Sequence, residues 1–243
     1  MKDSIAESIM KENSRGYEQI ADKFSSTRQF PWQEFEFFKN YINPNDNVLD
    51  AGCGNGRLYK FLNNSGINYY GLDSSQNLIN IAKSNYPQAN LQTGDITTLP
   101  FSDNQFDTIF CVATLHHIPG AKLRQQVISE FHRVLKPNGH LIMTNWNLLN
   151  SKWWPVLIRF SLNKLIGKNK MDWGDVTKPW KDNYGTVQTE RYLHAFSKRQ
   201  IKKLLNNQFR IKKQFYTKRD ANSNILVGFN LVTIAQNLEN KGK

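Results

Sequence analysis

Between residues 45 and 147, short apolar runs alternate with stretches whose apolar residues recur every three or four positions. "NVLDAG" is apolar up to Asp50 and ends in glycine, the pattern of a strand buried in a parallel sheet. "RLYKFLNN" follows with Leu58, Phe61 and Leu62 at helical spacing, and "NNSG" stops it. "NYYGLD" predicts a second strand. "SQNLINIAKSNY" predicts a second helix, capped by Ser74 or Ser75 and ended by Pro87. "NLQTGD" is a third strand, and "FDTIFCVATL", uncharged after Asp107, is a fourth. In "AKLRQQVISEFHRVLKPNG" the residues Leu123, Val127, Ile128, Phe131, Val134 and Leu135 share one helix face, with Pro137 to Gly139 ending it. "HLIMTNW" is a fifth strand.

Strands joined by helices in this order predict a parallel, doubly wound α/β sheet with right-handed crossovers. The tail adds a helix, "SKRQIKKLLNN", and two strands, "IKKQFY" and "ILVGFNLVTIAQ", close enough in sequence to pair antiparallel. The fold class is therefore a mostly parallel seven-stranded sheet whose last strand is antiparallel. A single domain over 1–243 is expected. It comprises an N-terminal helical addition (1–43, broken before Pro31), a ligand-binding core (44–147), an insertion after strand five (148–195), and a C-terminal helix with a strand hairpin (196–243).

Charge divides the chain. Residues 1–150 carry 13 Lys and Arg against 14 Asp and Glu, a net of −1, while residues 151–243 carry 19 against 6, a net of +13. A basic half on a neutral half fits a polyanion or an anionic surface. Cys53 and Cys111 lie in apolar runs without metal-ligand spacing, so no metal site is expected and both read as reduced, buried thiols. The opening residues hold no apolar signal-peptide core, and a cytoplasmic protein is expected. "WWPVLI" is far shorter than the roughly 20 residues of a membrane span. Its basic, amphipathic surroundings leave peripheral membrane contact open.

The chemistry concentrates in "DAGCGNG". A nicotinamide-type loop reads G-x-G-x-x-G and places a pyrophosphate on a helix N-terminus. Here the glycines are spaced G-x-G-x-G and Asp50 precedes them, which disfavours a pyrophosphate and favours a ligand with a cationic group. Asp73 ends the second strand, where an acid can bind ribose hydroxyls. Asp95 follows the third, placed to accept from an exocyclic amine. A ribose, an adenine and a cationic amino-acid portion together describe S-adenosylmethionine.

Over residues 45–147, "VLDAGCGNG", "GLDSSQNLINIA", "GDITTLPFSDNQFD" and "RVLKPNGHLI" stand in the order and spacing of the class I S-adenosylmethionine-dependent methyltransferases, which the chain resembles. The resemblance implies the Rossmann-like fold of that family and S-adenosyl-L-methionine as cofactor. It implies that Asp50, Gly52, Gly54 and Asn55 line the methionine part, Asp73 and Ser74 the ribose, and Asp95 and Ile96 the adenine. Val112 closes the pocket near the sulfonium. Cys53, Gly56 and Asn77 belong to the same cofactor-binding set, Cys53 as a small loop residue and not a nucleophile.

A narrower resemblance covers nearly the whole chain. "YEQIADKFSSTRQFPWQEFEFF", "DSSQNLI", "LHHI" and "KPWK…ERYLHAFSKRQIKKLL" are similar to the tRNA wobble-uridine carboxymethyl methyltransferases, which esterify the carboxylate of 5-carboxymethyluridine. This implies tRNA as partner, and a small activating partner protein. A carboxylate is already ionised at neutral pH, so the catalyst's task is placement of the oxygen against the methyl. Arg28, Arg191 and His116 are the candidate catalytic residues. His117 is expected at the acceptor base or sugar, with Trp32, Trp180, Tyr192 and His194 as stacking surfaces for an extruded base. Lys198, Arg199, Lys202 and Lys203, followed by Lys212, Lys213, Lys218 and Arg219, suit a phosphate backbone. The alternative is a small-molecule or lipid methyltransferase in which 147–170 covers a hydrophobic acceptor.

Overall fold

The computed structural model describes residues 1–28, 30, 32–181, 184–218 and 221–239. Pro31 and Arg219 lie outside the described residues. The chain opens with α1 (Asp3–Gln19), α2 (Ala21–Ser26) and a 3-10 helix, Gln33–Tyr41. The alternating region then gives β1 (Asn47–Ala51), α3 (Arg57–Leu62), β2 (Asn68–Asp73), α4 (Gln76–Asn85) and β3 (Asn90–Thr93). β4 (Phe106–Val112), α5 (Ala121–Val134) and β5 (Leu135–Trp146) complete it. The insertion holds α6 (Trp154–Leu165) and a hairpin of β6 (Asp175–Lys181) and β7 (Val187–His194). The tail contributes α7 (Lys198–Leu205), β8 (Phe209–Lys218), β9 (Ala221–Ser223) and β10 (Asn230–Asn237).

The main sheet runs in the order β3-β2-β1-β4-β5-β10-β8-β9. Strands β1 to β5 are mutually parallel, and β10 enters antiparallel between β5 and β8. Seven strands thus form the expected mixed sheet, and three-residue β9 extends its edge as an eighth. Strand alternation explains why helices cover both faces. Leu49, Ile109 and Leu141 point into one core with Val127, Ile128 and Phe131 of α5 and Ile201 and Leu205 of α7. Their neighbours Val48, Phe110 and Ile142 point into the other, with Phe35, Phe38, Leu58 and Leu62. Phe38 stacks on Phe110 with ring centroids 4.9 Å apart, and burying each such side chain contributes about 1.5–3 kcal/mol.

Three boundaries differ from the sequence expectation. Helix α5 ends at Val134, and Leu135 is already extended and paired with Phe106. Pro137 accounts for this early end. A residue before proline is pushed from helical to extended backbone, and here that residue is Lys136. The run "ILVGFNLVTIAQ" becomes strand only from Asn230, because Gly228 N–H turns back onto the Asn224 carbonyl at 2.9 Å and leaves Ile225 to Val227 exposed. The helical start of the chain begins at Asp3, well before "YEQIADKF".

The insertion forms its own small layer. Leu148, Val176, Leu193 and Ala195 make its apolar cluster, with β6 and β7 antiparallel. Helix α1 lies against β7 at Gly16, where any Cβ would run into the Thr189 side chain. Among the described residues no helix is long and apolar enough to cross a membrane.

Candidate active site

Strands β1, β2 and β4 end together under α1 and α2, and a cavity of about 780 Å³ opens there. Its floor is the loop after β1. Gly52, Gly54 and Gly56 all take left-handed backbone, with φ of 87°, 54° and 77°, which costs other residues but not glycine. A Cβ on Gly52 would stand 2.8 Å from Thr114 Cβ, whereas one on Gly54 would meet only Phe24 at 3.6 Å. The loop is therefore tied down at Gly52 and leaves its backbone open to the cavity at Gly54.

Acids ring this loop. Asp50 is 1% exposed; its Oδ2 accepts from the Tyr69 hydroxyl at 2.6 Å while its Oδ1 has no partner. Burial pushes its pKa up to about 7, against the Tyr69 hydrogen bond, which lowers it. An orphaned, buried carboxylate oxygen is costly, and it fits the cationic group of an amino-acid ligand. Asp73 accepts from the Gly54 and Ser75 N–H groups, each at 2.9 Å, and its pKa is raised chiefly by burial. Asp95 accepts from both the N–H and the hydroxyl of Thr97 at 2.8 Å.

Asp50, Gly52, Cys53, Gly54, Asn55, Asp73, Ser74, Asp95, Ile96 and Val112 line the cavity. Gly56 and Asn77 do not. Gly56 caps α3 and packs against Tyr86, and the Asn77 backbone N–H donates to the Glu18 carboxylate. Asn55 turns its amide to Ser25 and Arg28, tying the loop to the end of α2. Burial, reinforced by Asp50, raises the Cys53 thiol well above its ordinary range, so it stays protonated and inert.

The second wall is aromatic and cationic. Arg28 lies 4.8 Å over the Phe24 ring and 4.9 Å over Trp180. Arg191 lies 4.6 Å over the same Trp180 ring and 5.6 Å over Trp146. It is 4% exposed, and its Nε and Nη1 have no hydrogen-bond partner. Among the described residues no carboxylate pairs with either guanidinium. Burial first, then Arg191, lowers the pKa of Arg28. His117 hydrogen-bonds the Tyr192 carbonyl through Nδ1 at 3.0 Å, which requires the proton there. Its Nε2 therefore accepts from the Tyr17 hydroxyl at 2.9 Å. Burial lowers the His117 pKa to about 4, so the ring is neutral.

Several expected acceptor residues stand elsewhere. His116 is fully buried behind His117, with ring centroids 4.4 Å apart, and 5.1 Å from the Trp146 ring. It does not line the cavity, so a direct catalytic contact is corrected. Tyr192 and His194 are also corrected as stacking surfaces. They are buried, and Asp175 Oδ1 accepts from the Tyr192 hydroxyl at 2.7 Å and pairs with His194 Nδ1 at 2.6 Å. Arg28, Trp32 and His117 do line the cavity, and Trp180 and Arg191 stand immediately behind them. Lys198, Arg199, Lys202 and Lys203 are exposed on α7, away from the cavity lining. No residue of 147–170 lines the cavity either, so the segment that the alternative reading made an acceptor lid does not cover it. The cover is the N-terminal addition, from Met10 to Trp32.

Tyr17, Phe24, Thr114 and Trp146 were not legible as site residues. The one available signal was the seven-residue spacing of Tyr17 and Phe24, two helical turns apart, whose rings meet edge-on at 5.5 Å.

Residues 49–143 match the family model described as "Methyltransferase domain". The tRNA (carboxymethyluridine(34)-5-O)-methyltransferase of Arabidopsis thaliana is 34% identical over 152 residues, which cover 60% of this chain and 37% of that protein. The chain spans between 19% and 60% of the length of the first curated relatives it matches. A crystal structure of a SAM-dependent methyltransferase from Methanosarcina mazei aligns with TM-score 0.65 at 25% identity, covering 83% of this chain and 97% of that one. A Haloferax volcanii putative methyltransferase, solved in complex with the Trm112 methyltransferase activator, aligns with TM-score 0.66 at 15% identity and covers 95% of this chain and 100% of that one.

Proposed function

We propose, from the premise that this chain belongs to the class I S-adenosylmethionine-dependent methyltransferases, that it esterifies the carboxylate of a 5-carboxymethyl-type wobble uridine in tRNA. S-adenosylmethionine, when bound, supplies an electrophilic methyl group on a sulfonium. Asp50 Oδ1, buried and unpartnered, takes the ammonium of the methionine portion. Asp73 and Ser74 hold the ribose, Asp95 and Ile96 the adenine edge, and the open backbone at Gly54 allows close approach.

The observation that carries the acceptor is the pair Arg28 and Arg191 against Trp180, with no carboxylate among the described residues to neutralise them. Two such guanidiniums beside the cofactor cavity form a site for an anion. Tyr17 braces Arg191 and receives its orientation from neutral His117. An ionised carboxylate needs no general base, so positioning is what these residues contribute. The +13 charge of residues 151–243 supports a polyanionic carrier of that carboxylate. A small activating protein of the kind bound to the Haloferax volcanii protein is proposed as a partner.

The test is transfer of labelled methyl from S-adenosylmethionine to tRNA bearing 5-carboxymethyluridine, with and without such an activator. Mild alkali should release the label as methanol. Alkali-stable label, or none in tRNA under either condition, overturns the proposal.

A further inference from the structure

Helix α6 is apolar on two faces, and the described residues cover only one of them. Val156, Leu157 and Phe160 pack on the insertion's cluster. On the opposite side Trp154, Ile158, Leu162, Leu165 and Ile166 recur at intervals of four, four, three and one, and stand between 49% and 69% exposed. The first four form a single stripe along a helix of twelve residues, and Ile166 caps its end; the helix is about 18 Å long. An amphipathic surface helix normally turns polar residues outward, so a second apolar face implies a second burial. The stripe is prolonged at the N-terminal end of α6. There Ser151 N–H donates to the Leu226 carbonyl at 3.2 Å, beside exposed Ile225, Leu226 and Val227.

The charges around the stripe select what covers it. Residues 147–171 carry five cations, Lys152, Arg159, Lys164, Lys168 and Lys170, and no acid. Trp154 begins the helix, its indole N–H fixed on the Leu149 carbonyl at 3.1 Å, and exposed Trp173 follows its end. A protruding ridge of large apolar side chains, flanked by lysines and ended by tryptophans, is the pattern of a helix lying in the plane of a membrane interface. We propose that α6 docks this protein on an anionic lipid surface, the stripe entering the acyl boundary and the exposed cations Lys152, Arg159, Lys168 and Lys170 meeting the headgroups. None of these residues lines the cofactor cavity, so docking leaves that site open.

The experiment is co-sedimentation of the full chain with vesicles of phosphatidylcholine, with and without an equal part of phosphatidylglycerol. Wild type should pellet with the anionic vesicles and remain in solution with the neutral ones. The double variant Ile158→Glu, Leu162→Glu should lower that partitioning by at least about 100-fold, roughly the effect of withdrawing two large side chains from an apolar phase. Both residues are exposed, and an unchanged thermal midpoint together with unchanged S-adenosylhomocysteine affinity shows that the variant folds. No pelleting of wild type overturns the proposal. So does equal pelleting of the variant, which would mean attraction by the basic half alone. Analytical ultracentrifugation supplies the third adverse outcome: a wild-type dimer that the variant converts to monomer, without vesicle binding, would make the stripe an interface between two copies.

Discussion

Replacing Asp50 by Asn tests the most perturbed acid of the cavity. The carboxylate sits on a short strand, buried, with one oxygen on Tyr69 and the other on nothing. Its pKa rises from an ordinary 3.8 to about 7, mainly by desolvation. Between those values the folded state holds a proton that the unfolded state has released. Stability is therefore lost as pH rises through this window, and the ionised group costs roughly 4 kcal/mol at pH 8, at about 1.4 kcal/mol per pH unit. Asn keeps an acceptor for the Tyr69 hydroxyl and never ionises. Asp50→Asn should match wild type near pH 4 and exceed it by up to about 4 kcal/mol at pH 8. Buried His116 and His117 have lowered pKa values and push the opposite way, so the variant-minus-wild-type difference is the readout. Urea unfolding of ligand-free protein across pH measures it. Calorimetry at pH 8 should show the converse for ligand: S-adenosylhomocysteine, which carries the same ammonium, should bind about 10- to 100-fold more weakly to the variant, the loss of one charge-assisted hydrogen bond. A stability difference that does not change with pH would refute the buried, ionisable Asp50. Unchanged ligand affinity would refute its role toward the ammonium.

Gly52→Ala places a Cβ against Thr114 at a φ of +87° and should destabilise the protein by about 2 kcal/mol, read as a lower thermal midpoint, with loss of cofactor binding. Arg191→Gln removes one guanidinium of the pair and, on the proposed acceptor, should reduce methyl transfer about 100-fold. Its affinity for S-adenosylhomocysteine should stay at the wild-type value; weaker cofactor binding would place Arg191 on the wrong side of the cavity. Tyr17→Phe deletes the hydroxyl between His117 and Arg191 and should slow transfer about tenfold. Wild-type rates should show no inflection from His117 between about pH 5 and 8, because its pKa lies near 4; an inflection near the ordinary 6.5 that disappears in His117→Gln would contradict a neutral ring.

Much of the cofactor side was legible because its determinants are local. Glycines spaced G-x-G-x-G mark left-handed backbone, and an acid at the end of a predicted parallel strand lies at the ligand-binding edge of the sheet. Asp50, Asp73 and Asp95 follow from these rules, and all three line the cavity. Gly56 and Asn77 share the same stretches but turn away: Gly56 caps α3 against Tyr86, and the Asn77 N–H is taken by the Glu18 carboxylate. The acceptor side was less legible. "RYLH" alternates along β7, so Arg191 turns to Trp180 and Trp146 while Tyr192 and His194 turn to Asp175. Nothing in the four letters states which face the cavity adjoins. "HH" divides in the same way, His117 to the cavity and His116 behind it.

By itself the sequence determined the alternation of strand and helix, the glycine turn and the acids at the strand ends, because each depends on neighbours within a few residues. Only the tertiary structure decided that α1 and α2 cover the cavity, that Tyr17 meets His117 across 100 positions, and that α6 keeps an apolar face outward. Those outcomes depend on which surfaces meet after folding, and burial is a property of the partner surface as much as of the residue that is buried.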